Sequence, residues 1–142
     1  MKRDTFTIIL RIGLAIGGAI DLYVGALSLF APQLIPPLLD IPMKDPTIAQ
    51  IAGGEFVVMA GVYALAFRDP VRFRPLIWLC ALDQAFAVLL PSIAVGRGLL
   101  PATWKIVAPA LFQSLLAELF ILYGALYAAR PGRNRSATPF MQ

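Results

Sequence analysis

Apolar residues fill four long stretches of this chain, and polar residues are concentrated in the short segments between them. Each stretch is close to the ~20 residues that an α-helix needs to cross ~30 Å of hydrocarbon. None alternates apolar and polar residues as a membrane β-barrel does, and unpaired backbone groups are too costly in lipid for an irregular structure. The pattern predicts four spanning helices, at about residues 7–30, 48–67, 75–95 and 104–129.

Composition supports the same fold class, an all-α integral membrane four-helix bundle. Hydrophobic residues make up 59% of the 142 residues and charged residues 14%, against about 45–50% and about 25% in soluble domains. A soluble domain of this length could not bury so much apolar surface, so the lipid bilayer is the expected partner. We expect one transmembrane domain over residues 1–130 and a disordered cytoplasmic tail over residues 131–142.

The basic residues predict the orientation. Most of them fall on one side of the four predicted spans: Lys2, Arg3, Arg11, Arg68, Arg72, Arg74, Arg130, Arg133 and Arg135, against Lys44, Arg97 and Lys105 on the other side. Because cytoplasmic loops carry an excess of Lys and Arg, both termini should be cytoplasmic. The net charge of +4 therefore follows the membrane topology and does not indicate a nucleic-acid partner. The first apolar run is long enough to be a retained helix although the N-terminus begins like a signal peptide.

The segment between the first two spans differs from the other connections. It reads APQLIPPLLDIPMKDP, with five prolines separated by apolar residues. It is too broken by proline to span and too apolar to extend freely into water. We therefore predict that it lies in the outer interface and covers the end of the bundle.

The absence of histidine and the single cysteine exclude several kinds of chemistry. Cys80 has no partner for an intrachain disulfide or a CxxC redox pair. Histidine-ligated haem, zinc sites built on His or Cys, and carboxylate di-iron sites with Glu-x-x-His pairs all need residues that this chain lacks. We expect no cofactor and no transition metal, although carboxylate oxygens could in principle bind a hard cation.

Each predicted span contains one carboxylate: Asp21, Glu55, Asp83 and Glu118. At ~1.5 Å per residue, their distances from the outer helix ends fall within a band roughly 10 Å deep. An ionisable residue at such a depth costs ~2.5–3.5 kcal/mol on insertion scales and usually faces the bundle interior. Gly13, Gly17 and Gly25 recur at four-residue spacing with Asp21, which places Asp21 in a helix-packing stripe. We therefore predict a shared layer of four acids inside the bundle.

Polar neighbours accompany these acids. Gln84, Gln113, Ser114 and Tyr123 are the candidate ligand-binding residues, and no Lys or Arg lies at the depth of the acids. Carboxyl groups that cluster without a counter-charge are expected to share protons, an arrangement suited to acid–base work. The structural alternative is that each acid is protonated and only hydrogen-bonds one helix to another.

Short motifs resemble the DoxX-like group of small bacterial four-helix membrane proteins, including its DUF4345-type branch. The resemblance covers about residues 8–128 and rests on Arg11 at the start of the first span, the proline-bearing outer loop, Gly53-Gly54-Glu55 in the second span and the Arg-rich turn before the third. It implies a four-helix fold in the bacterial inner membrane. Some members of that group are linked to quinone-associated oxidoreductase subunits, and the group has no shared catalytic signature to carry over.

Three functions are compatible with the sequence. The first is an acid-lined pocket that binds or transforms a lipophilic small molecule by non-redox acid–base chemistry, as in an isomerase or cyclase, with Asp21 and Glu118 as the leading residues and Glu55 and Asp83 in support. The second is an accessory or assembly subunit of a larger membrane complex. The third is a proton- or cation-coupled carrier, which would need to work as a homo-oligomer because four helices form a narrow pathway.

Overall fold

A computed structural model describes residues 3–42 and 45–128, and all of its regular structure is helical. The helices are α1 (Arg3–Phe30), α2 (Ile35–Leu39), α3 (Pro46–Arg68), α4 (Arg74–Gly96) and α5 (Trp104–Ala128), with a 3-10 turn at Pro32–Leu34 before α2. The predicted all-α four-helix fold is confirmed, and the long helices begin and end within four residues of the predicted spans. The predicted tail over residues 131–142 lies outside the described residues.

All four long helices are apolar and long enough to cross a membrane. Only 17–33% of the residues in their most apolar stretches are buried by the rest of the chain. The remaining apolar surface faces outward, where water would be unfavourable and lipid is not. The outer surface of the bundle is therefore suited to contact with the lipid of a bilayer.

The four long helices pack mainly as two hairpins, α1 with α3 and α4 with α5. The α1–α3 pair is antiparallel and close, because Gly25 of α1 lies against the backbone of Gly53 in α3. A Cβ atom placed on Gly25 would lie 3.0 Å from the Gly53 carbonyl oxygen. Small residues allow helices to approach so closely in membranes, where packing rather than hydrophobic expulsion holds helices together.

The densest packing lies towards one end of the bundle, where α1 begins and α3 ends. The buried cluster there draws on all four long helices: Phe6, Leu10, Leu14, Tyr63, Ala66, Ile77, Cys80, Ala81, Leu116, Phe120 and Tyr123. The opposite halves of α4 and α5 contribute little. Between Ala85 and Gly96, all of which the structure describes, no residue is buried. The two hairpins are thus joined firmly at one end and loosely at the other.

One arginine joins the two helices of each hairpin at the densely packed end, called here the arginine end. The Arg11 guanidinium of α1 donates to the carbonyl oxygen of Arg68 at the end of α3, at 3.5 Å. Arg74 of α4 donates to the carbonyl oxygen of Gly124 in α5, at 3.2 Å. The Arg68 carbonyl is the last of α3 and lacks a partner within the helix, and cations are favourable at the negative dipole ends of both α3 and α5.

The proline-rich segment folds over the other end of the bundle, called here the α2 end. Lys105 at the start of α5 donates to the Pro37 carbonyl oxygen at 2.8 Å and pairs with Asp40 at 3.2 Å. Asp40 ends α2 in the left-handed region at φ 53°, a conformation that Asp tolerates better than most residues. Asp45 then starts α3 by accepting the backbone N–H of Thr47 at 2.8 Å. The segment covers a helix end as expected, while its side of the membrane stays a prediction.

Candidate intramembrane polar site

Asp21 lies inside the bundle, as its glycine-rich stripe predicts. Asp21 is only 5% exposed. Two other helices pack against this stripe. Gly13 lies against Leu119 of α5, and Gly17 lies against the ring of Tyr63 in α3. The face of α1 that carries Asp21 is therefore surrounded by the other helices, and the expectation that Asp21 faces protein is confirmed.

Asp83 of α4 is held by Tyr63. The Tyr63 hydroxyl lies 2.9 Å from Asp83 Oδ2, to which it donates, and 3.2 Å from the carbonyl oxygen of Cys80. Tyr63 is one of the most deeply buried side chains, and its ring packs 6.0 Å from that of Phe120. Since the ring is fixed by packing, its hydroxyl fixes the position of the Asp83 carboxylate.

Gln84 completes the cluster. Its Nε2 donates to the Tyr63 hydroxyl at 2.7 Å and lies 3.3 Å from Asp83 Oδ2. It is 2% exposed, so its amide is removed from both lipid and water. The structure places Gln84 beside Asp83, its predicted role in ligand binding stays a prediction, and its partner Tyr63 is not among the residues predicted from sequence.

The carboxyl groups of Asp21 and Asp83 meet across the bundle, within hydrogen-bonding reach of each other. Two ionised carboxylates would repel in a low-dielectric interior, so the contact is attractive only when one of them holds a proton. No Lys or Arg lies in the sequence between Arg11 and Lys44 or between Arg74 and Arg97 to neutralise the pair. We call Asp21, Tyr63, Asp83 and Gln84 the Asp21–Asp83 site.

Two acceptor atoms of this site are buried without a hydrogen-bond partner among the described residues. They are Asp21 Oδ2 and Gln84 Oε1. Leaving a buried polar atom unpaired costs about 1–3 kcal/mol, and native structures rarely tolerate it without a water, ion or functional reason. Apart from the proton that the carboxyl pair shares, the described residues therefore supply no donor for these two acceptors.

The predicted layer of four acids is wrong in its membership, because Glu55 and Glu118 are exposed on the outside of the bundle. The reason is their rotation around the helix axis. Gly53 faces α1, and Glu55 lies two residues later, rotated by about 200° from it. Glu118 lies two residues from both Leu116 and Phe120, which are buried. Similar depth in the membrane therefore does not bring the four acids together.

The remaining predicted ligand-binding residues do not join the site. Gln113 and Ser114 are half-buried, and the Ser114 hydroxyl donates to the Ala110 carbonyl oxygen of its own helix at 2.9 Å. Tyr123 is buried at the arginine end, where its ring lies 5.7 Å from that of Phe6. Phe6 and Asp21 are separated by about four turns of α1. Tyr123, which packs against Phe6, is therefore far from the acids.

A shallow groove runs along the outside of α1 and α3 beside the site. It has a volume of about 270 Å³ and is lined almost entirely by small and apolar residues, among them Leu14, Ala15, Gly18, Ala19, Ala60 and Tyr63. Tyr63 belongs to both regions, since its ring borders the groove and its hydroxyl contacts Asp83. Its ring is packed against Gly17 and Gly18, where a Cβ atom would come within 2.7 and 2.9 Å of it.

Within the part of the chain that the structure describes, no three His, Cys, Asp or Glu side chains lie close enough together to hold a metal ion. Comparison with protein-family models, curated proteins and solved structures finds no match to this chain. Membership of the DoxX-like group therefore stays a prediction, and the function has to be argued from the Asp21–Asp83 site itself.

Proposed function

We propose that this membrane protein binds a lipophilic small molecule through the Asp21–Asp83 site and that the carboxyl pair acts on it as a non-redox acid and base. The proposal keeps the acid-lined site predicted from sequence and narrows its acids to Asp21 and Asp83. The remaining two members, Tyr63 and Gln84, orient Asp83.

One observation carries this proposal, namely the pair of buried acceptors without partners beside a carboxyl pair. Asp21 Oδ2 and Gln84 Oε1 need donors that the described residues do not supply. A ligand with a hydroxyl or amine would supply them and would recover the cost of leaving them unpaired. A purely apolar ligand would not, so the site favours a molecule with an apolar body and a donor at one end.

The hydrogen bonds assign different roles to the two carboxyls. Asp83 has two donors directed at it, from Tyr63 and Gln84, which favour its ionised form. Asp21 receives neither of them, so the shared proton belongs on Asp21. A carboxylic acid beside a carboxylate is the arrangement that allows one group to donate a proton while the other accepts one. Isomerisation, cyclisation and epoxide opening are the matching reaction classes.

The groove between α1 and α3 offers a place for the apolar body of such a ligand. It is open to the surrounding lipid and lined by apolar side chains. The Tyr63 ring forms its wall next to the site, so a ligand in the groove would lie against the residue whose hydroxyl holds Asp83. Binding sites of this kind combine an apolar lining with a few polar groups that fix orientation.

A binding measurement with two matched probes tests the proposal. Dodecanol and dodecane share an apolar body, but only dodecanol carries a donor. Calorimetric titration of the protein in lipid nanodiscs should give tighter binding of dodecanol, and Asp21→Leu should remove this preference. Glu118→Leu, which removes an exposed acid of a span, is the control and should retain it. Equal binding of both probes to the wild-type protein, or an unchanged preference in folded Asp21→Leu, would contradict the proposal.

A second candidate, the accessory subunit, is favoured by a different observation. Glu55 and Glu118 are exposed in the middle of apolar helices, where contact with lipid is unfavourable and contact with another protein is not. Purification in mild detergent would test it. A stable complex with a second polypeptide supports an accessory role, and a single-component preparation that is active or binds ligand alone opposes it.

The same proposal places the protein in a bacterial inner membrane, as the DoxX-like resemblance implies, with both termini in the cytoplasm. The arginines at the arginine end support this orientation because basic residues favour the cytoplasmic side. Fusions of a fluorescent protein and of alkaline phosphatase to the C-terminus would test it. Fluorescence without phosphatase activity is expected, and the reverse result would invert the topology.

A further inference from the structure

The Asp21–Asp83 site contains more buried hydrogen-bond acceptors than donors. Asp21 Oδ2 and Gln84 Oε1 have no hydrogen-bond partner among the described residues. Asp21 is 5% exposed and Gln84 is 2% exposed, so both side chains are removed from water and lipid. The carboxyl pair shares one proton, and one proton satisfies only one of these two acceptors. At least one buried acceptor therefore lacks a donor within the described part of the chain.

The Gln84 amide is held in one orientation beside the carboxyl pair. Its Nε2 donates to the Tyr63 hydroxyl at 2.7 Å and lies 3.3 Å from Asp83 Oδ2. Reversing the amide would place Oε1 against the carboxylate, and two acceptors repel each other. Oε1 is bonded to the same carbon atom as Nε2, so this unpaired acceptor lies next to the carboxyl pair. Asp83 is only half-buried, so the pair can be reached from outside the bundle.

The negative charge of the site has no counter-charge in the surrounding helices. Two carboxyl groups that share one proton carry one negative charge between them. No Lys or Arg occurs at residues 12–43, 45–67, 75–96 or 106–129. An uncompensated charge is costly inside a membrane, and a ligand that carries one positive charge would compensate it. The site therefore favours a cation as well as a hydrogen-bond donor.

We propose that the ligand of the Asp21–Asp83 site is a lipophilic primary amine bound as its ammonium ion, an inference that rests on the proposed function. An ammonium group has three N–H donors and no acceptor, so it adds donors without adding an acceptor. Asp21, Asp83 and Gln84 then each accept one N–H, and the pair keeps its shared proton for acid–base work. The charge of the ammonium makes these hydrogen bonds stronger than those of a neutral donor.

Other head groups fit the site less well than a primary ammonium. A hydroxyl brings one donor, but it is uncharged and adds an acceptor of its own. A quaternary ammonium brings the charge without any donor. A hard metal cation takes about six or more oxygen ligands, whereas no three metal-binding side chains lie together in the described part of the chain. The primary ammonium meets both the need for donors and the need for positive charge.

Calorimetric titration of the wild-type protein in nanodiscs of zwitterionic lipid tests the inference with probes that share one apolar chain. Dodecylammonium supplies charge and donors, dodecyltrimethylammonium supplies charge alone, and dodecanol supplies a donor alone. At neutral pH, dodecylammonium should bind about tenfold more tightly than either of the other two, the factor expected for one charge-assisted hydrogen bond. Empty nanodiscs correct for partition into lipid, and the net charge of +4 does not favour non-specific binding of cations.

The outcomes separate this inference from the proposed function. If dodecylammonium binds no more tightly than dodecanol, or no more tightly than dodecyltrimethylammonium, the primary amine is the wrong ligand class. The proposed function survives that result as long as dodecanol still binds more tightly than dodecane. If none of the three probes binds more tightly than dodecane, both the inference and the proposed function are contradicted.

Two glutamines provide matched variants for the second test. Gln84→Met removes the unpaired acceptor and should weaken dodecylammonium binding about tenfold, with a much smaller effect on dodecyltrimethylammonium, which donates no hydrogen bond. Gln113→Met makes the same change at a half-buried glutamine outside the site and should leave both affinities unchanged. Circular dichroism confirms that each variant is folded. Equal losses for the two cations in folded Gln84→Met, or the same loss in Gln113→Met, would contradict the inference. If Gln84→Met does not fold, the wild-type series decides.

Discussion

Carboxyl groups lie both inside the bundle and on its outer surface, and their surroundings differ. Asp21 and Asp83 are the inner pair, and Glu55 and Glu118 are the outer pair. The inner carboxyls meet each other and are surrounded by Tyr63 and Gln84. The outer carboxyls are exposed on apolar helices. Counted along the helices, the predicted depth is similar for both pairs, so what separates them is the direction in which each side chain leaves its helix.

This difference leads us to expect two different roles for the acids of the transmembrane helices. An acid that faces the bundle can bind a proton or a polar ligand in a water-poor interior. An acid that faces outward has no partner of that kind and instead marks a surface that another molecule should cover. The inner pair is therefore the basis of the proposed ligand site, and the outer acids mark a surface that we expect another molecule to cover.

The largest effect is expected from removing an inner acid. Asp83→Leu removes the nearer of the two acceptors of the Tyr63 hydroxyl and one of the two acceptors of the Gln84 amide, and should lower the free energy of unfolding by about 1–3 kcal/mol. Glu55→Leu removes an outer acid by the same change and should not destabilise the monomer. Unfolding in mixed detergent micelles, followed by circular dichroism, measures both. Equal losses in the two variants would remove the distinction between inner and outer acids.

Glycines that face the bundle and glycines that face outward should also differ in how well they tolerate a larger side chain. A Cβ atom on Gly17 would lie 2.7 Å from the Tyr63 ring, so Gly17→Ala should cost about 1–3 kcal/mol by overpacking and should displace the hydroxyl from Asp83. Gly61 has open space, and Gly61→Ala should be neutral or stabilising by up to about 1 kcal/mol. The same unfolding assay decides between them, and a larger loss in Gly61→Ala would show that the outer face is packed within the monomer.

Much of this arrangement follows from the sequence, and the part that does not is instructive. The long apolar runs predict the helices, and the four-residue glycine spacing predicts that Asp21 faces inward. The direction of Glu55 and Glu118 could not be predicted because α3 and α5 are apolar on every side, so no polar face reveals which way they turn. Tyr63 was missed since a tyrosine in a span also reads as ordinary packing. The available signal was a polar hydroxyl in the middle of a predicted span.

Acids outside the spans provide a comparison with the acids inside them, because a base or water lies next to their carboxylates. Lys105 pairs with Asp40 and also donates to Pro37, but both charged side chains are one-third exposed. Lys105→Met should therefore cost no more than about 1 kcal/mol and should mainly loosen the α2 end. Hydrogen exchange of the amides between Ile35 and Asp40 should become faster, with those of α4 unchanged. An unchanged exchange rate would mean that Lys105 does not hold this segment.

The smallest effect is expected at Asp45, which is exposed at the start of α3. The Thr47 backbone N–H that it accepts lowers the pKa of Asp45 below its usual range. The stabilisation is therefore present above the pKa of the unfolded chain and is lost as pH falls through the lowered value. The protection of the Thr47 amide, measured as its exchange rate relative to an unstructured peptide at the same pH, should fall on acidification in the wild-type protein, and the difference in protection from Asp45→Ala should vanish at low pH. A difference that persists at low pH would contradict this cap.

The central claim is that Asp21 and Asp83 share a proton inside the bundle, and infrared spectroscopy of the protein in nanodiscs tests it most directly. In a Glu55→Gln, Glu118→Gln background the outer acids cannot contribute a protonated carboxyl band. At neutral pH the account predicts a carboxylic-acid C=O band in this background and its loss when Asp21→Asn is added. Absence of the band before that change, or its persistence afterwards, would contradict the account.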